Sequence, residues 1–106
     1  MVSKIKHMLK GIEKLIHQLE AEKADKNSPF LFSHINKTIL LLQSMSHNIS
    51  NPVNYVDITE DIKTIVYWSI DSWYWESQLT KDILEIIELY EKTCTFASEN
   101  IFKKLQ

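Results

Sequence analysis

The apolar residues of this chain recur at intervals of three and four, and only three short segments break the pattern. Ile5, Met8, Leu9, Ile12, Leu15, Ile16 and Leu19 fall on one face of a helix. Phe32, Ile35, Ile39, Leu42, Met45 and Ile49 make a second stripe, broadened by Leu31, Leu40 and Leu41. Ile58, Ile62, Ile65, Val66, Ser69 and Trp73 make a third, and Ile83, Ile86, Ile87, Tyr90, Cys94, Ala97, Ile101 and Leu105 a fourth. A β protein needs a period of two and frequent tight turns, and one Gly and two Pro in 106 residues leave few sites for such turns. The chain therefore reads as all-α. Its length suits a single domain, residues 1–106. The expected architecture is an antiparallel up-down-up-down four-helix bundle, with helices at about 2–24, 29–50, 57–76 and 80–104 and a length of about 30 Å.

The breaks carry start and stop signals. In Lys26-Asn27-Ser28-Pro29, Ser28 can cap a helix whose first residue is Pro29, where the missing N–H is no loss. Asn51-Pro52-Val53-Asn54 stops the second helix near Ser50. Asp57 or Thr59 caps the third, with Glu60 at capping-box spacing from Asp57. Ser77-Gln78-Leu79-Thr80 is a turn and cap before the fourth. Glu22 and Lys26 stand i,i+4 near the end of the first helix. Gly11 lies at the edge of the first stripe, where a missing side chain lets a neighbouring helix approach.

The densest feature is Val66-Tyr67-Trp68-Ser69-Ile70-Asp71-Ser72-Trp73-Tyr74-Trp75-Glu76, which holds all three tryptophans. Val66 and Trp73, Tyr67 and Tyr74, and Trp68 and Trp75 stand seven apart, so large side chains spread over roughly 200° of the helix circumference at about 100° per residue. One packed face needs an apolar arc only a little over 100° wide. A helical wheel turns Tyr67 and Tyr74 away from the core stripe, close to Glu60 and Asp71, and sets Trp68 and Trp75 on a flank. Two outward Tyr and a flanking Trp make an apolar patch of about 400 Å², the size at which a partner is suspected.

No arrangement of residues supports catalysis. His7, His17, His34 and His47 include no i,i+4 pair and no Glu-x-x-His, so they read as exposed or satisfied rather than metal ligands. Cys94 sits on an apolar stripe and reads as a buried thiol; one cysteine excludes an internal disulfide and suits a reducing compartment. Glu13 and His17 read as a surface helix contact. There is no glycine-rich phosphate loop and no nucleophile elbow. A non-enzyme without cofactor or metal is expected. The N-terminus mixes Lys4, Lys6, His7, Lys10, Glu13 and Lys14 among its apolar residues, unlike a signal peptide, and Leu40-Leu41-Leu42 is far short of a membrane span. The expected location is the cytoplasm, with no membrane partner.

Charge is distributed unevenly. Residues 1–53 carry seven Lys and four acids, a net of +3; residues 54–106 carry five Lys and ten acids, a net of −5. All twelve basic residues are Lys, so no guanidinium is available for bidentate phosphate contacts. The Lys6, Lys10 and Lys14 stripe has no interleaved aromatics, and no nucleic-acid partner is expected. In size and helical make-up, and in these alone, the chain looks like small bacterial bundles that include bacteriocin and toxin immunity proteins. An acidic, aromatic-rich face on the third and fourth helices is also what neutralising a cationic toxin, for example a nuclease, would need. The expected contact residues are Tyr67, Asp71, Tyr74 and Trp75, with Trp68 and Glu60 beside them. The alternatives are a homodimeric or larger structural or adaptor bundle, a bundle with an apolar ligand between its helices, and a nucleic-acid-binding regulator.

Overall fold

The computed structural model describes residues 2–28, 30–71 and 77–105, with side chains for 5–28, 30–51, 53–71 and 77–93. Among these residues the chain is all-α and contains no strand. Helix α1 spans Val2–Ala24, α2 Phe32–Ser50, α3 Thr59–Asp71 and α4 Gln78–Leu105, with a short 3-10 turn at Pro52–Asn54. The four apolar stripes meet in one core. Met8, Ile12, Leu15 and Leu19 come from α1, Ile35, Ile39, Leu41, Leu42 and Met45 from α2, and Ile83, Ile86, Ile87 and Tyr90 from α4. From α3 and the residue before it come Ile62, Ile65 and Ile58. Gly11 behaves as its position on the wheel implies: a Cβ there would stand 3.3 Å from Ile86 Cδ1. At 28 residues α4 spans about 42 Å. The molecule accordingly exceeds the expected 30 Å, reaching 53 Å along its longest axis.

Helix starts depart from the expected boundaries where a capping side chain is engaged elsewhere. The Ser28 hydroxyl donates to Glu22 Oε2 at 2.6 Å and accepts from the Phe30 amide, closing a local turn instead of capping a helix at Pro29. Helix α2 begins three residues later, at Phe32, with Ile35 N–H donating to Leu31 O. Phe30 then occupies the position before the N-cap and joins the core that holds Ile35, the placement of a hydrophobic staple. Glu22 is thus committed to Ser28, and Lys26 has left the helix, which ends at Ala24. The i,i+4 geometry expected for these two residues is lost.

Helix α3 starts at Thr59, two residues after the expected start at 57, and the capping box expected between Asp57 and Glu60 is replaced by a turn closed by Asp57 alone. Asp57 Oδ1 accepts from both the amide and the hydroxyl of Thr59, at 3.0 and 2.7 Å, while Glu60 reaches forward to Lys63. Helix α4 begins at Gln78 rather than Thr80, because Ser77 is its cap: its Oγ accepts from the Thr80 amide at 3.2 Å and meets the buried Thr80 hydroxyl at 2.9 Å. Every buried polar side-chain atom among the described residues has a hydrogen-bond partner. Buried Thr38 and Ser69 bond back to carbonyls of their own helices, His34 O and Val66 O.

The connection from α2 to α3 is pinned from inside the core. The Asn48 carboxamide, 3% exposed, donates to Val56 O and to the Tyr90 hydroxyl, both at 2.8 Å, and accepts from the Val56 amide at 2.9 Å. His47 Nε2–H donates to Asn54 O at 3.1 Å, since a carbonyl oxygen can only accept.

Candidate protein-binding face

The outer face of α3 has the exposure a binding surface needs. Thr59 to Asp71 is helical because Asp57 holds its first turn and Ile58, Ile62, Ile65 and Ser69 bury one side. The opposite side is then fixed by helical geometry. Glu60, Tyr67 and Asp71 stand at relative positions 0, +7 and +11, on one face over about 16 Å. Tyr67 is 64% exposed, and Glu60 and Asp71 are also exposed. Ile70, 75% exposed, adds an apolar neighbour that the wheel argument overlooked.

Trp68 has a different environment from the Tyr67 side. It is half-buried, and the His34 imidazole stacks on it at 3.7 Å between centroids with planes 7° apart. Lys37 Nζ lies 6.0 Å from the same indole and pairs with Asp61 Oδ1 at 3.6 Å. These four residues tie α2 to α3, so Trp68 turns toward the neighbouring helix while Tyr67 turns to solvent. Burial against this stack holds the His34 pKa below its ordinary value of 6.5. Tyr74 and Trp75 lie outside the described residues, as do Trp73 and Glu76. The Cys94 side chain is also outside them.

Charges of both signs lie on the outer sides of α3 and α4. Glu60 pairs with Lys63 at 3.6 Å with both side chains largely in water, where such a pair contributes little. Asp71 is exposed at the other end. On α4, Glu85, Glu88 and Glu91 are exposed, with Lys92 close to Glu88 at 3.0 Å. Asp57 titrates below the ordinary carboxylate value of 3.8 because the hydroxyl and amide of Thr59 donate to it.

A second exposed element escaped the sequence reading. In the pinned connection Val53 is 95% exposed, and Tyr55 and Val56 are about half exposed. The available signal was three apolar residues in Val53-Asn54-Tyr55-Val56, outside any helical period. This loop leads directly into Glu60 at the foot of the α3 face. Its backbone is held by Asn48, His47 and the Asn54 N–H bond to Asn51 O, so it presents these side chains from a fixed frame.

Among the described residues no three His, Cys, Asp or Glu side chains are grouped to hold a metal ion, and no helix is long and apolar enough to cross a membrane. The chain matches no known protein family, curated protein or solved structure. The outer side of α3 exposes one aromatic and one aliphatic side chain, Tyr67 and Ile70, with the carboxylates of Glu60 and Asp71 on the same helix.

Proposed function

We propose that this protein is a small, non-catalytic, cytoplasmic protein-binding module, an immunity- or antitoxin-type inhibitor that neutralises a cationic toxin such as a nuclease. The observation that carries this reading is the exposure of Tyr67 and Ile70 between the carboxylates of Glu60 and Asp71. Carboxylates at the two ends steer a basic partner and occupy the positions its cleft keeps for phosphate. Tyr67 and Ile70 supply the desolvated centre that slows dissociation. Glu85 and Glu88 on α4 extend the acidic field. Lys6, Lys10 and Lys14 on α1 serve as a solvated face, without the guanidinium groups a nucleic-acid reader normally uses.

The test is co-expression with a panel of cationic nuclease and other basic toxin domains. The wild-type chain should protect cells and co-purify with one such domain. Tyr67→Ala and Asp71→Lys should each weaken that complex at least about tenfold, as expected for a central aromatic and a facing charge. Absence of protection against every such domain would reject the proposal. So would equal protection by both variants.

A further inference from the structure

The connection between α2 and α3 offers backbone groups as well as side chains. Asn48 accepts from the Val56 amide and donates to the Val56 carbonyl, so both main-chain groups of Val56 point the same way, as they do in a β-strand. Tyr55, at φ −61° and ψ 132°, is extended as well. No peptide bond among the described residues is cis, and in a trans peptide the N–H and C=O point in opposite directions. The Tyr55 carbonyl shares its peptide with the Val56 N–H and is therefore turned away from Asn48. The Asp57 N–H shares its peptide with the Val56 carbonyl and is turned away too. Neither group has a hydrogen-bond partner among the described residues. Tyr55 and Asp57 are exposed, whereas Ile58 is buried. Asn48 thus occupies one edge of a short extended stretch whose other edge, Tyr55 C=O and Asp57 N–H, is unpaired.

We infer that this edge takes an extended segment of a basic partner protein by strand addition. In that mode main-chain hydrogen bonds hold the segment, and its alternate side chains are read by their neighbours across the pair. Tyr55 and Asp57 stand at i and i+2, on the same side of the extended stretch. A segment paired here sets an apolar side chain against the Tyr55 ring and a Lys or Arg against the Asp57 carboxylate. The charge argument is local. From residue 38 to residue 62 the chain carries Asp57, Glu60 and Asp61 and no Lys. Asp61 pairs with Lys37 and Glu60 with Lys63, but Asp57 has no cation partner among the described residues. Pairing of this edge with its own copy would bring two such carboxylates together, so a basic segment is the better match. Asn48 and His47 hold the frame beforehand, so little backbone order is lost on pairing. The turn at Pro52–Asn54 closes the stretch on one side and α3 on the other, so few main-chain bonds form and binding is weak. Tyr67 and Ile70 take no part, and the inference does not rest on the toxin-inhibitor reading.

The capped peptide Lys-Thr-Val-Thr-Lys presents the required pattern in either chain direction. Titrating it to about 5 mM into the isotope-labelled full chain, followed by amide NMR, tests the inference. The Asp57 amide resonance should move downfield and saturate, while that of Tyr67 stays in place. N-methylating the inner residues of the peptide removes donors and should weaken binding at least about tenfold, as should replacing both Lys by Glu. Asp57→Asn keeps a capping side chain for α3 and removes the charge, so it should cancel the preference for the Lys peptide over the Glu peptide. Absence of a saturable shift at Asp57 overturns the inference. Equal binding of the N-methylated peptide overturns it too, since side-chain contacts alone would then suffice. So does an undiminished preference for the Lys peptide in Asp57→Asn. A shift of the same amide on concentrating the protein without peptide would assign the edge to a second copy and overturn the choice of occupant.

Discussion

Asn48 grips Val56 by both of its backbone groups, taking the N–H on the carboxamide oxygen and giving an N–H to the carbonyl. A side chain on α2 thereby does for the α2–α3 connection what a neighbouring strand does in a sheet. The Asn48 carboxamide is fully used, since its remaining amide hydrogen goes to Tyr90 on α4 in the buried part of the network. One residue therefore sets the position of the exposed Val53-to-Val56 loop, the entry angle of α3 and a contact to α4.

Asn48→Ala removes the partner of both Val56 backbone groups and one hydrogen bond of the Tyr90 hydroxyl. The expected loss is about 2–3 kcal/mol, the usual cost of stranding buried polar groups. It should appear as a lower urea midpoint at unchanged slope. Asn48→Asp should not restore stability, because a carboxylate has no hydrogen to give Val56 O.

Tyr90→Phe tests the other end of the same network. Tyr90 is 2% exposed, and the ring would stay packed while Asn48 lost one acceptor. A cost of about 1–2 kcal/mol is expected. Combined with Asn48→Ala, it should cost less than the two single changes together, because both remove the same bond. Strict additivity would mean that the bond contributes nothing.

This network marks the limit of what the sequence can be made to say. Four helices were legible because Ile12, Leu42, Ile65 and Ile83 belong to apolar periods, and all four are buried. The outward direction of Tyr67 followed from the same wheel. Asn48 was illegible, because its partners lie eight and 42 residues away and no period connects them. The His34–Trp68 stack likewise depends on the register of α2 against α3, which the period of neither helix specifies. Ser28 was misread for a third reason. Its hydroxyl suits either a helix cap or a local turn, and a Glu22 carboxylate 2.6 Å away settles the choice.

Gly11→Ala should stabilise the protein by about 0.5 kcal/mol, since Ala gains up to about 1 kcal/mol over Gly within a helix. The opposing term is the 3.3 Å approach to Ile86 Cδ1, the free end of a flexible side chain that can shift by a few tenths of an ångström. Gly11→Leu should destabilise, because a side chain of that size must displace α4 itself. Thermal unfolding of the two variants separates the cases. A loss of stability in Gly11→Ala would show Ile86 to be locked in place.

The α3 face should be separable from folding. Tyr67→Ala and Asp71→Lys alter exposed positions and should change unfolding free energy by no more than about 0.5 kcal/mol, whatever they do to partner binding. Trp68→Ala should behave differently and cost about 1–2 kcal/mol, because it removes a half-buried ring stacked on His34. Equal effects of Tyr67→Ala and Trp68→Ala on stability would contradict the division of the helix into a free side and a packed side.

Stability should fall as the solution is acidified through the range of His34. Burial lowers the folded-state pKa of this imidazole below 6.5, so between that lowered value and 6.5 the unfolded chain binds the extra proton. The contribution is fully present above about pH 6.5 and is lost as pH falls through the folded value. One effect opposes this: an imidazolium stacked on Trp68 gains from the negative face of the indole. Lys37 already places a positive charge 6.0 Å from that indole, which disfavours a second. Desolvation should therefore win. Subtracting the urea-derived stability of His34→Gln from that of the wild type, between about pH 7.5 and about pH 5, isolates the residue from the other titrating groups. A difference that shrinks on acidification fits burial of the neutral ring, whereas one that grows would mean the indole holds His34 as the cation.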